Sequence, residues 1–294
     1  MTRVFGVMGY PISHSLSPVM HNAAFEALGL DAIYAPFEVP PHQLKSVLQG
    51  LQIMGGVGLN VTVPLKERLA RLLSRANLDP IAAALGAVNT LAQRDGRLVG
   101  YNTDVEGFCR ALVEEMRCDV RKKRVLLLGA GGAARAAAWA LAQGGPEALW
   151  VANRTAAHAD RLARWLRRHT PRLTIEVVPF GRRSTAKALA QTDVLVNATS
   201  LGLRPGDALP VDPAAIHKRL MVFDLVYSAY PGQRGAGRRS PTTPLVRQAR
   251  RRGAFAIDGL AMLLYQGAES FRLWWQREPP LDVMRRAVEQ ALRA

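Results

Sequence analysis

The sequence predicts an α/β protein of two domains, and three observations carry that prediction. Apolar strand-like runs alternate with helical stretches along the chain, which implies parallel βαβ units. The alternation closes with a hairpin before residue 104 and restarts from a new helix, so the best boundary lies there. The second series opens with a glycine-rich turn between an apolar strand and an alanine-rich helix, the form of a Rossmann-like dinucleotide-binding unit. With 294 residues and 49% hydrophobic content, the chain can fill two cores.

In the first series, RVFGVMG reads as a buried strand. SPVMHNAAFEALGL reads as a helix with Ser17 as its N-cap, Pro18 in the first helical position and Gly29 as its stop. AIYAPFEV follows as a strand, PHQLKSVLQGL as a helix and GVGLNVTV as a strand. KERLARLLSRA carries leucines at helical spacing. GAVNTLAQRDGRLVGYNTD reads as a hairpin turning at Asp95-Gly96.

The second series begins with the helix VEGFCRALVEEM and the unit RVLLLGAGGAARAAAWALAQGG. The strands ALWVANRT, TIEVV, DVLVNAT and MVFDLVY follow at regular intervals. The stretch 228–242 is rich in Gly, Arg, Ser and Pro, and a loop of that length and composition is expected to be mobile. The last segment reads as two helices broken at Pro279-Pro280.

The net charge is +16, and only six of the 39 basic residues are lysines. The basic residues are scattered, with few aromatics among them to stack bases, so nucleic acid is not the expected partner. A field of this sign favours small anionic ligands. No uninterrupted apolar run is long enough for a membrane span. The N-terminus reaches a strand and a Gly-Pro turn too early for a signal peptide. The two cysteines, Cys109 and Cys118, fit no metal spacing and are expected to be reduced thiols of a cytoplasmic protein.

Gly129, Gly131 and Ala134 stand in the G-x-G-x-x-[GA] spacing. The first glycine permits a tight turn and the second lets backbone approach a pyrophosphate. The third position stays small so that the helix packs on the strand. The next strand ends in Asn153, Arg154 and Thr155 without the carboxylate that would bond a ribose 2′-OH. An arginine there suits a 2′-phosphate, so NADP is the expected cofactor.

Four segments of the first series are polar where a strand ends: SHSLSP, NVTVPLK, GAVNT and GYNTD. They bring Ser15, Ser17, Thr62, Lys66, Asn89 and Asp104 toward the end of the sheet where open α/β proteins bind ligands. Taken singly, Ser17 and Asp104 are helix caps and Asn89 a turn residue. Together the four segments describe a site for a small polyhydroxylated anion.

In these segments the chain resembles the shikimate dehydrogenase family. The resemblance runs in order through GYPISHSLSPVMHNAAF, GLNVTVPLK, GAVNT, GYNTD, GAGGAARA, NRT, NATSLG, DLVY and DGLAMLLYQGAESF, from Gly9 to Phe271. It implies NADPH-dependent reduction of 3-dehydroshikimate to shikimate, on the way to chorismate and the aromatic amino acids. It implies a substrate domain of residues 1–104 completed by 259–294, beside a Rossmann-like NADP domain of residues 105–258.

By the same resemblance Ser15 and Ser17 would hold the substrate carboxylate. Thr62, Asn89, Asp104 and Gln266 would bond the ring hydroxyls, with Lys66 as acid/base beside Asp104. Tyr227 would lie near substrate and nicotinamide. The cofactor set would comprise Gly129, Ala130, Gly131, Gly132, Ala133, Asn153, Arg154, Thr155, His158, Leu225 and Gly259. No metal is implied, and the protein would be a monomer or homodimer.

Three positions depart from the family pattern. His158 stands where a second arginine is common, Leu225 where Met is frequent, and the link after Val226-Tyr227 is lengthened. Two alternatives follow. Quinate could be the substrate, although Ser17 and Thr62 leave less room for its extra hydroxyl than smaller residues would. A homologue that had lost catalysis and bound polyanions is the other, and the presence of both Lys66 and Asp104 opposes it.

Overall fold

The computed structural model describes residues 2–13, 15–54, 58–204, 206–227 and 242–293. It divides into two compact units, residues 1–107 with 263–294, and residues 108–262. The lengthened loop anticipated at 228–242 lies outside the described residues except for Thr242.

The first unit is built on a five-stranded sheet. Its strands are β1 (Arg3–Gly9), β2 (Ala32–Glu38), β3 (Gly58–Val61), β4 (Thr90–Arg94) and β5 (Arg97–Tyr101), in the order β2-β1-β3-β4-β5. β1, β2 and β3 are parallel, while β4 and β5 form an antiparallel hairpin against β3. Pro36 sits opposite Val7 in β2, which is tolerated because β2 is an edge strand and one of its sides needs no donors. The hairpin turns at Asp95 and Gly96, both at positive φ (48° and 74°), as a two-residue turn that follows strand twist requires.

The helices of this unit are α1 (Ser17–Ala27), α2 (Leu44–Met54), α3 (Lys66–Leu72), α4 (Pro80–Leu85), most of α10 (Leu260–Trp275) and α11 (Leu281–Arg293). α4 was not anticipated. Asp79 caps it through its side chain onto Ala82 N–H, and Gly86 ends it in the left-handed conformation. One core gathers Met8, Leu44, Leu48, Leu59, Leu65, Leu69 and Leu91. An aromatic cluster of Phe5, Phe25, Phe271, Trp274 and Trp275 joins α1 and α10 to the sheet.

Polypeptide direction places the site. The C-terminal ends of β1, β3 and β5 and the N-terminal start of β4 lie on one edge of the sheet. The register aligns Asn60 with Thr90 and Thr90 with Tyr101.

The second unit holds an all-parallel sheet: β6 (Arg124–Leu128), β7 (Ala148–Ala152), β8 (Thr174–Val177), β9 (Val194–Asn197), β10 (Met221–Asp224) and β11 (Phe255–Ile257). The order β11-β10-β9-β6-β7-β8 reverses between β6 and β9, the doubly wound Rossmann arrangement with its ligand crevice at that switch point. α6 (Gly132–Gly144), α7 (Ala156–His169), α8 (Ser184–Leu189) and α9 (Pro244–Arg251) make crossovers. α5 (Asp104–Arg110) continues as a π-turn over Ala111–Glu115. Among the described residues no helix is long and apolar enough to cross a membrane, and no cluster of His, Cys, Asp or Glu could hold a metal.

Candidate active site

At the strand ends of the first unit, Lys66 is the first residue of α3 and Asp104 the first of α5. Their side chains form an ion pair, Nζ to Oδ2, at 2.6 Å, with the lysine 16% and the aspartate 7% exposed. The pair is nearly desolvated, so each charge depends on the other and on its hydrogen bonds. Asn89, at the start of β4, donates from Nδ2 to Asp104 Oδ1 at 2.9 Å, which leaves Oδ2 for the lysine. Thr103 N–H donates to Asn89 Oδ1 at 2.7 Å and fixes the sense of that amide.

Asp104 does not cap α5. It is the first helical residue; its own N–H bonds to Asn102 Oδ1 at 3.2 Å, and its carboxylate is taken by Lys66 and Asn89.

Ser17 also differs from expectation. The N-cap of α1 is Leu16, in helical conformation and without a side-chain cap bond. Ser17 N–H bonds instead to Ser15 Oγ at 3.3 Å. The Ser17 hydroxyl is buried beside Tyr34, where it works against the rise in that phenol's pKa caused by burial. The sequence offered Ser-Pro as a cap, but the cap position falls one residue earlier, at Leu16, and Ser17 is the first helical residue.

Thr62 follows β3, half-buried, with its N–H on Met8 O at 2.8 Å. Gln266 lies on α10 with its Nε2 on Leu263 O at 2.8 Å and its Oε1 3.4 Å from Asn89 Nδ2. The structure therefore brings Lys66, Asn89, Asp104 and Gln266 into one bonded group, and Ser15 and Ser17 into a second at the start of α1.

Several residues of this edge escaped the sequence reading. Asn60, Thr90, Thr103 and Ser270 are all buried and hydrogen-bonded to one another beneath Asn89. The available signal was Asn60, a polar residue inside the apolar strand GLNV.

In the second unit, the turn after β6 meets the requirements of a dinucleotide cradle. Gly129 has φ +111°, and a Cβ there would lie 2.6 Å from Ala198 O at the end of β9. Gly131 precedes α6, is exposed, and a Cβ there would meet nothing within 4 Å. Ala134 is fully buried against the sheet. Ala130 completes the turn, and Gly132 and Ala133 open α6, whose N-terminus is of the kind that suits a phosphate.

At the end of β7, Asn153 Nδ2 bonds to Thr155 O at 2.9 Å, while Arg154, Thr155 and His158 are exposed. Gly259 N–H bonds to Val226 O at 2.9 Å, and a Cβ on Gly259 would come within 2.1 Å of Leu225 O. Tyr227 is next in line, and burial pushes its phenol up to about 12. Asp224, at the end of β10, accepts from Asn197 Nδ2 at 2.8 Å and Thr243 Oγ1 at 2.5 Å, and burial raises its carboxyl to about 6.

The comparisons with known proteins agree with this geometry. Residues 7–91 match the family described as shikimate dehydrogenase substrate binding domain, residues 111–233 the shikimate / quinate 5-dehydrogenase family, and residues 259–289 the shikimate 5'-dehydrogenase C-terminal domain. The shikimate dehydrogenase (NADP(+)) of Methanosarcina mazei is 44% identical over 296 residues, covering 100% of both chains. The chain belongs to the shikimate dehydrogenase family. Crystal structures of its relatives share the fold. That of shikimate dehydrogenase from Aquifex aeolicus superposes with a TM-score of 0.84 at 36% identity, covering 98% of this chain and 97% of that one. The Thermus thermophilus enzyme in complex with NADP(H) and shikimate gives 0.82 at 36% identity, covering 99% and 100%. As a member of this family, with full-length relatives of 40–44% identity that are NADP-dependent dehydrogenases, the chain is an oxidoreductase.

Proposed function

We propose that the protein catalyses the reversible NADPH-dependent reduction of 3-dehydroshikimate to shikimate, a step toward chorismate and the aromatic amino acids. The observation that carries this reading is the shielded Lys66–Asp104 ion pair at 2.6 Å, with Asn89 on the other aspartate oxygen. Relatives named as NADP-dependent shikimate dehydrogenases over the whole chain support it.

In this reading residues 1–107 with 263–294 hold the substrate and residues 108–262 the cofactor. The Gly129–Ala133 turn takes the pyrophosphate and Arg154 the 2′-phosphate, with Asn153, Thr155 and His158 around it. The absence of a carboxylate at the end of β7 favours NADP over NAD. Leu225, Tyr227 and Gly259 border the nicotinamide, which supplies the hydride when bound.

The chain's own residues manage the proton. As the ring carbonyl is reduced, its oxygen gains negative charge. Lys66 Nζ stabilises that charge and donates the proton; in the oxidative direction neutral lysine accepts it back. Asp104 holds the ammonium in place by charge and hydrogen bond. Ser15 and Ser17 bind the substrate carboxylate, while Thr62, Asn89 and Gln266 bond the ring hydroxyls. A content of only two cysteines suits a reducing, cytoplasmic setting.

The test is a spectrophotometric assay with shikimate and quinate, each with NADP⁺ and NAD⁺. The highest kcat/KM is expected for shikimate with NADP⁺. Absence of turnover with shikimate would overturn the reading, and a preference for quinate would replace the substrate.

A further inference from the structure

We infer that Ser270, on the fourth turn of α10, is a positioning residue of this site. It acts through Asn89 on the Lys66–Asp104 pair, and the inference rests on the proposed proton-handling role of that pair. Ser270 is fully buried. Its Oγ lies 2.8 Å from Asn60 Nδ2, 2.9 Å from Thr90 Oγ1 and 3.2 Å from Thr103 Oγ1, and it donates to Gln266 O at 3.0 Å. A hydroxyl with four polar neighbours in a dry interior is a junction, and a buried junction of this kind constrains each group it touches.

Counting protons shows what it constrains. The single Ser270 hydrogen goes to the helix carbonyl of Gln266, so Oγ turns only lone pairs toward the sheet. It accepts from Asn60 and from one of the two threonine hydroxyls. The other threonine hydroxyl has Asn89 Oδ1 within reach, from Thr90 at 3.1 Å or from Thr103 at 3.3 Å, and the neighbouring threonine at 3.3 Å. Under either assignment Asn89 Oδ1 faces donors and Nδ2 is directed at Asp104 Oδ1. Tyr34, whose hydroxyl donates to Asn60 Oδ1 at 2.8 Å, ends the chain at the Ser17 side. Without Ser270 Oγ, one threonine proton and one Asn60 hydrogen must find new acceptors, and the hydroxyls beside Asn89 rearrange, so that the amide, though still held by Thr103 N–H, is less firmly fixed. A less firmly fixed Asn89 amide holds Asp104 Oδ1 less tightly and loosens the carboxylate from Lys66.

The test is Ser270→Ala in the full chain with two readouts. The first is proton exchange of lysine ¹⁵Nζ groups by NMR, which is tractable because the chain has only six lysines. Lys66→Arg assigns the signal. Exchange at Lys66 is expected to rise about tenfold, the scale of one lost buried hydrogen bond, with the other lysines unchanged. The second readout is steady-state kinetics with shikimate and NADP⁺. Here kcat should fall about tenfold with KM for NADP⁺ unchanged, and Ser270→Ala should add nothing in an Asp104→Asn background. A purely structural serine would lower the melting temperature but leave Lys66 exchange as it was, and its effect on kcat would add to that of Asp104→Asn; that result overturns the inference. If Ser270→Ala fails to fold, Ser270→Cys, close in volume and a weak acceptor, is read by the same measurements. A wild-type protein that does not turn over shikimate would refute the proposed function, while the lysine exchange would still decide the role of Ser270.

Discussion

Lys66 and Ser15 are expected to fail in different ways. The substrate carboxylate assigned to Ser15 carries one charge throughout the reaction, so losing that hydroxyl removes uniform binding. Ser15→Ala should raise KM and leave kcat nearly unchanged. The charge that Lys66 meets develops only as the carbonyl is reduced. Lys66→Ala should therefore lower kcat by roughly 10²–10⁴-fold with a modest change in KM. Asp104→Ala should fall between, and the Lys66/Asp104 double variant should lose less than the sum of the two, because the 2.6 Å pair acts as a unit. Steady-state kinetics on the four variants checks this, and a folded Lys66→Ala protein with normal kcat would remove the acid/base role. At this scale the sequence was legible where function needs a titratable or hydroxyl side chain at a strand end, as with Lys66, Asp104 and Ser15. It was not legible for Ser270 and Asn60, which meet at 2.8 Å across 210 positions of chain. No local pattern marks such a pair, because the partner is chosen by the packing of α10 on the sheet. The Ser17 cap was misread by one position, because α1 starts from Leu16.

Two glycines, one in the cradle between β6 and α6 and one beside the end of β10, make a contrast at the level of elements. Gly131 has φ −82°, a conformation open to any residue, and a Cβ there meets nothing. Gly131→Val should therefore change stability by less than about 1 kcal/mol, yet raise KM for NADPH more than tenfold by filling the space the phosphates need. Gly259 is confined by backbone, with Leu225 O within 2.1 Å of any Cβ. Gly259→Ala should destabilise the protein by about 3 kcal/mol or more, because no flexible side chain can yield. Thermal melts paired with cofactor titrations separate the two outcomes. Arg154, just past the end of β7, belongs to the same scale. Arg154→Ala should weaken NADPH about ten- to a hundred-fold and NADH little, the worth of a charge-assisted contact; equal loss of both cofactors would show that Arg154 does not read the 2′-phosphate. The Rossmann-like unit was legible because Gly129, Gly131 and Ala134 each answer a steric demand of one turn. The short helix α4 was not. Its six residues are too few to show a period, and its signals are only Asp79, Pro80 and Gly86 at its ends.

For the whole molecule, acidity should act on the two units in opposite directions. In the first unit His21 is fully buried, stacked on Tyr34 at 4.4 Å, with neither ring nitrogen hydrogen-bonded among the described residues. Burial lowers its pKa from 6.5 to about 3. The unfolded chain then binds a proton below about pH 6.5 that the folded unit refuses until about pH 3, so stability falls as pH drops through that window. The slope is about 1.4 kcal/mol per pH unit at most. In the second unit burial raises Asp224 from 3.8 to about 6. Here the folded state holds the extra proton. Its stability is fully present below pH 3.8 and is lost as pH rises through about 6, the reverse sign. Between pH 4 and 6 the two contributions oppose each other. Calorimetry across that range should give a first-unit transition that falls in temperature with acid and a second-unit transition that rises. His21→Phe, which keeps the stacked ring without a titrating nitrogen, should flatten the first dependence and leave the second. Asp224→Asn should weaken the second, buried Asp258 with its raised carboxyl keeping part of it, and leave the first. A His21→Phe protein with an unchanged acid limb would mean that the imidazole is protonated within the fold, and that its isolation among Phe25, Tyr34 and Trp274 does not control the acid stability of the first unit.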